Sequence, residues 1–156
     1  QFNALFARPT VGNATLSHND TMLQLASALR STELSGRLEA LLLSHSDRLG
    51  EAEDTLFSTV APALRAHGRM RTLALDDCNL TAPTLGALLN ATLFAGSPLR
   101  TLSLSRNEVG LDGAAALAAG LAHNTALTSL DLSTSMLGGG GGAVLAGALA
   151  DDNGAS

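Results

Sequence analysis

The sequence predicts an α/β solenoid, with a curved parallel sheet on the inside, helices on the outside, and about five strand–helix repeats. Three observations predict it. First, the spacing apolar-x-x-apolar-x-apolar-x-x-(Cys/Asn/Ser)-x-apolar occurs as Met70–Leu73–Leu75–Cys78–Leu80, Leu99–Leu102–Leu104–Asn107–Val109 and Leu127–Leu130–Leu132–Ser135–Leu137. Second, these copies lie 29 and 28 residues apart, a period that belongs to stacked supersecondary units. Third, a stretch with one apolar stripe at helical spacing follows, clearest at Leu111, Ala114, Ala115, Leu117, Ala118 and Leu121.

Five repeats divide the chain at 1–37, 38–69, 70–98, 99–126 and 127–156, all within one domain. The first pairs Phe2–Leu5–Ala7–Thr10 with a helix carrying Met22, Leu23, Leu25, Ala26 and Leu29. The second pairs Leu38–Leu41–Leu43–Ser46 with a helix carrying Leu56, Phe57, Val60 and Leu64. These two are longer and degenerate. In the last three, the alternation at Leu73–x–Leu75, Leu102–x–Leu104 and Leu130–x–Leu132 has the two-residue period of a strand. After each strand, Cys78, Asn107 or Ser135 can turn inward and bond loop backbone. In the fifth repeat Val144, Leu145 and Leu149 align with Ala116, Leu117 and Leu121.

Residues 99–137, LRTLSLSRNEVGLDGAAALAAGLAHNTALTSLDLSTSML, resemble the leucine-rich repeat family in its longer, ribonuclease-inhibitor-like form. The resemblance implies one strand and one helix per repeat and a concave face that binds protein ligands. The strand residues pointing away from the core would form that face: Thr72, Ala74 and Asp76, then Thr101, Ser103 and Ser105, then Ser129, Asp131 and Ser133, with Leu42 and Ser44 continuing it backwards. It is polar and free of aromatics, whereas interface hot spots favour Trp, Tyr and Arg. Extracellular members of the family usually have cysteine-rich caps, which this chain lacks.

Composition narrows the function. The net charge is −5 and there is no lysine, which argues against nucleic acid and anionic membranes as partners. No apolar run is long enough to span a bilayer. The single cysteine, Cys78, excludes an internal disulfide and reads as a buried structural thiol. The run Gly138–Gly142 superficially matches a phosphate loop, but no Lys-Ser/Thr follows it. It aligns with Gly110–Ala114 and reads as a repeat loop. Of the four histidines, His18, His45, His67 and His123, the last two lie near the helix ends of their repeats, where solenoid translation keeps them apart, so no metal site is predicted. No Ser–His–acid set predicts a triad. Glu51, Glu53 and Asp54 suit a helix start. Neither catalysis nor a cofactor is expected.

Four Asn-x-Thr sequons, at Asn13, Asn19, Asn79 and Asn90, predict N-glycans. The chain begins with Gln1, as a chain with its signal peptide removed would, or a piece of something longer. The first functional expectation is therefore an extracellular or cell-surface structural glycoprotein that is not an enzyme. A solenoid repeat cannot bury its own flat faces. Open ends, with Phe2, Leu5 and Ala7 at one and Val144, Leu145 and Leu149 at the other, would then stack head to tail into a fibre. Neighbouring repeats could instead supply the missing faces, or the first repeat and Asp151–Asp152–Asn153 could cap a monomer. The alternative function is a protein-binding module of a larger receptor or an intracellular, cytoplasmic scaffold.

Overall fold

Alternate residues of a strand face opposite sides of a sheet, so Leu73 and Leu75, Leu102 and Leu104, and Leu130 and Leu132 can fill one layer if their strands stack in register. They do. A computed structural model describes residues 10–11, 14–15, 23, 26–27, 29–30, 39–43, 59–66 and 68–151. Its main sheet has four parallel strands in chain order: β3 (Ala40–Leu42), β4 (Thr72–Ala74), β5 (Thr101–Ser103) and β6 (Ser129–Asp131). Leu41, Leu73, Leu102 and Leu130 form one row across it. The helices α1 (Ala61–Ala66), α2 (Ala82–Thr92), α3 (Gly110–Leu121) and α4 (Gly138–Asp151) alternate with these strands. The core lies between the two layers and includes Leu73, Leu75, Leu85, Leu89, Leu102, Leu104 and Leu117.

The inward polar position binds the repeats together. Cys78 Sγ donates to Leu43 O at 3.0 Å, Asn107 Nδ2 to Leu75 O at 2.8 Å, and Ser135 Oγ to Leu104 O at 2.9 Å. Each side chain thus reaches the strand end of the preceding repeat. Asn107 Oδ1 also accepts from Cys78 N at 3.1 Å and Leu80 N at 3.2 Å. All three residues are buried, where unpaired backbone groups would be costly. The expectation of a structural Cys78 thiol agrees with this placement.

The turns also repeat. Asp77, Arg106 and Thr134 take φ values of 55°, 58° and 58° at equivalent positions. Gly110 and Gly138 take 60° and 64° where α3 and α4 begin, a conformation glycine adopts without strain. On α3, a Cβ at Gly120 would stand 2.9 Å from Leu93 Cβ. Glycine there lets the C-terminus of α3 approach the end of α2 closely.

Four expectations change. Gly138–Gly142 is the start of α4 rather than a loop. Its register with Gly110–Ala114 stands, since those residues start α3. Packing imposes the helix on a glycine run of poor propensity: a Cβ at Gly141 would lie 3.1 Å from Ala114 Cβ. Leu23, Leu111 and Ala115, placed on apolar stripes, are exposed, whereas Ala26, Leu29, Ala114 and Leu117 are buried. Thr10, expected at the inward polar position after a strand, lies instead in β1 (Thr10–Val11), which pairs antiparallel with β2 (Ala14–Thr15). Leu145 is buried and belongs to the core rather than to an exposed end, because it occupies the inward position that Leu117 holds one repeat earlier. Phe2, Leu5 and Ala7 lie outside the described residues.

Candidate functional site

The strand residues opposite the leucine row form two lines across the concave face. Ala40, Thr72, Thr101 and Ser129 are paired in register, as are Leu42, Ala74, Ser103 and Asp131. Beyond the strand ends, Asp76, Ser105 and Ser133 extend the surface. Thr72, Asp76, Thr101, Ser103 and Ser105 are half-buried, and Ser129, Asp131 and Ser133 are exposed. Ala74, expected on this face, occupies its line but is buried. Leu42 is exposed at the other end. The face is therefore most exposed at its two end strands, polar at β6 and apolar at β3.

Two carboxylates organise it differently. Asp76 Oδ1 accepts from Ser103 Oγ and, at 3.0 Å, from Ser105 N, so it ties one repeat to the next. Asp131 Oδ1 accepts from Ser133 Oγ at 2.5 Å and Ser133 N at 2.9 Å, within its own repeat. The Ser133 hydroxyl, followed by its backbone N–H, holds the Asp131 carboxyl below the usual aspartate range. Asp131 thus presents a fixed negative charge to solvent. Sequence reasoning finds these residues but not these bonds; the Asp-x-Ser spacing signals only the Asp131–Ser133 pair.

No group of three potential metal-ligating side chains converges among the described residues. His123 is exposed behind α3, and the other histidines lie outside the described residues. No described helix is long and apolar enough to cross a membrane. Asn79 and Asn90 are both exposed, while Asn13 and Asn19 lie outside the described residues. On the convex side, the Arg65 guanidinium lies 4.8 Å from the Phe94 ring centroid and donates to Asn90 O at 3.1 Å. That contact packs α1 against the end of α2.

Residues 97–118 match the family model described as Leucine Rich repeat. That segment runs from the turn before β5, through Asn107, into α3. No curated protein matches the chain in sequence. Among solved structures, leiomodin-1 actin-binding site 2 (ABS2) is similar, with a TM-score of 0.63 and 18% identity over 86% of this chain and 74% of that one. At that identity the likeness concerns the fold. The chain thus carries a leucine-rich repeat at residues 97–118, within an α/β architecture shared with the leiomodin-1 structure.

Proposed function

We propose that the chain is a non-enzymatic protein-binding module that recognises its partner through the concave face of the sheet. The observation that carries this reading is the polar stretch of the two in-register lines, Thr101 and Ser103 on β5 and Ser129 and Asp131 on β6, which is exposed at β6. Serine, threonine and aspartate line that surface and suit hydrogen bonding to a partner rather than a nucleophile–base pair. The repeat numbering extends in this reading to five repeats of the ribonuclease-inhibitor-like form, because from β3 onward the described elements alternate one strand with one helix.

Actin is the first partner to titrate, because the similar leiomodin-1 structure is named for an actin-binding site. The test is a binding titration with the intact chain, with Ser129→Arg/Asp131→Arg on the concave face and with Ala115→Arg on the exposed side of α3. Loss of binding in the concave variant alone supports the reading. Equal binding by all three moves the interface elsewhere, and no binding by any removes actin.

Exposed Asn79 and Asn90 favour a second reading of the compartment, as a secreted or cell-surface glycoprotein. Thr81 of the first sequon is exposed, whereas Thr92 of the second is buried and donates to Leu88 O at 2.7 Å. Asn79 is therefore the better-presented site. An intact mass above the sequence mass, lost in Asn79→Gln, supports this reading, and an unmodified native protein ends it. The head-to-tail fibre takes second place to protein binding. Val144 and Leu149 are exposed, but Leu145, assigned to the same contact, is buried.

A further inference from the structure

We propose that the edge where strands end and helices begin carries a docking surface, centred on Leu111 and Met136, for a basic, apolar-anchored segment of a partner protein. This edge adjoins the concave face but is separate from it, and the proposal does not depend on the function proposed for that face.

Two large apolar side chains stand in water here without a structural need. Asn79, Glu108 and Met136 are equivalent, 29 and 28 residues apart, and all three are exposed. The position is therefore a surface position even in repeats stacked on both sides. Met136, 69% exposed, does not owe its exposure to being in the last strand–helix unit. Leu111 is 54% exposed although α3 packs between α2 and α4. Its counterparts in the neighbouring repeats are the smaller Ala82 and Gly139.

The first turns of α3 and α4 bring the two together. A Cβ at Gly140 would stand 3.3 Å from Leu111 Cδ1, so Leu111 lies against the start of α4. Met136 O accepts from Gly110 N at 3.3 Å, so Met136 is tied to the start of α3. Gly138, Gly139 and Gly140 are exposed beside them and carry no side chain that would cover them. A partner that buries Leu111 and Met136 removes apolar area from water, and the unbranched Met136 side chain adapts to what it meets.

Charge identifies the occupant. Asp112 follows Leu111, and Glu108 holds the Met136 position one repeat back. Both are exposed, and neither makes an ion pair among the described residues. Asp77 and Asp131 stand at the same edge, against Arg106. Arg65, Arg69, Arg71 and Arg100 lie at the opposite edge, where helices end and strands begin. An apolar centre with an acidic rim is complementary to a segment whose apolar side chains sit between lysines or arginines. An acidic segment or an anionic membrane meets like charge there.

The test selects binders to the intact chain from a random peptide library. Enriched peptides are expected to hold apolar residues between lysines or arginines. They should bind Leu111→Ser/Met136→Ser about tenfold or more weakly. Glu108→Gln/Asp112→Gln should weaken them about threefold and flatten their salt dependence. Thr72→Ala/Thr101→Ala, on the concave face, should bind them as the intact chain does. Urea midpoints matching the intact chain establish that each variant is folded. Acidic or neutral peptides, peptides held equally by Leu111→Ser/Met136→Ser, or no enrichment at all overturn the proposal. So does a dimer in sedimentation that Leu111→Ser/Met136→Ser dissociates, because a second copy then holds the surface.

Discussion

Repeat 99–126 and the unit that follows it, residues 127–151, hold similar residues at equivalent positions, yet only the first is covered on both sides. Leu102 and Leu104 are sealed, and Leu130 and Leu132 are half-open. Asn107 and Ser135 both bond back to the preceding repeat, Asn107 at three backbone groups and Ser135 at one. The difference shows that burial here is not a property of the repeat sequence but of having a neighbour. The same leucine is core or edge according to what is stacked beyond it, as nearest-neighbour coupling in solenoids requires.

Substituting the paired leucines tests this most strongly. Leu102→Asp places a charge where no water and no counter-charge reach it, and cooperative unfolding is expected to disappear. Leu130→Asp can reach solvent past the open edge and should leave a folded, weakened protein. The milder pair follows the same order in urea unfolding. Leu102→Ala is expected to cost about 3–5 kcal/mol and Leu130→Ala about half that. A soluble, cooperatively folded Leu102→Asp variant would contradict the repeat register.

The inward polar position sharpens the contrast through hydrogen bonds. Asn107→Ala strips acceptors from Cys78 N and Leu80 N and a donor from Leu75 O, all in the interior. A loss of about 3 kcal/mol or more is expected, from about 1–3 kcal/mol for each of the three unsatisfied buried groups. Ser135→Ala removes its bond to Leu104 O and a longer one to Ser133 O, and should cost about 1 kcal/mol. Equal losses would mean that the ladder contributes no more between covered repeats than at the edge.

The helices give a third contrast, with opposite signs. A Cβ at Gly120 meets Leu93 at 2.9 Å, so Gly120→Ala on α3 is expected to destabilise by about 1–3 kcal/mol through overpacking. A Cβ at Gly142 on α4 meets nothing within 4 Å, so Gly142→Ala should stabilise by up to about 1 kcal/mol from helix propensity. Thermal unfolding of the two single variants reads both signs.

Much of this is legible in the sequence because it rests on periodicity. The two-residue alternation sets which leucines face inward, and the 28–29-residue spacing sets the strand register, so the sequence alone aligns Leu73, Leu102 and Leu130. Asn107 reads as an inward group, and Asn79 and Asn90 as outward ones. What the sequence does not yield depends on tertiary contact. Five successive glycines disfavour a helix locally, and α4 forms there because α3 offers it a surface. Leu145 fits two sequence arguments that conflict, an open solenoid end and the inward position of Leu117, and its burial decides for the second. The concave residues are legible as a face from alternation alone. The pairing of Asp76 across repeats and of Asp131 within one follows instead from which strand lies beside them.

That last difference carries the smallest prediction. Among the described residues the Asp131 carboxyl is held by Ser133, through hydroxyl and backbone N–H, and it titrates below the usual aspartate range. A group whose folded pKa is lowered adds stability that is present above its unfolded pKa and lost as pH falls through the folded value. Asp131 is solvent-exposed, so this linkage should be slight, and the titration itself is the better readout. In carbon-detected NMR the Asp131 carboxyl is expected to titrate lower than an unperturbed aspartate. Ser133→Ala should raise that midpoint while leaving the backbone N–H bond, so the return is partial. A midpoint unmoved by Ser133→Ala would show that the hydroxyl does not hold the charge. The carboxylate would then be free to rotate toward a partner on the concave face, and the edge repeat would differ from the inner ones in order as well as in burial.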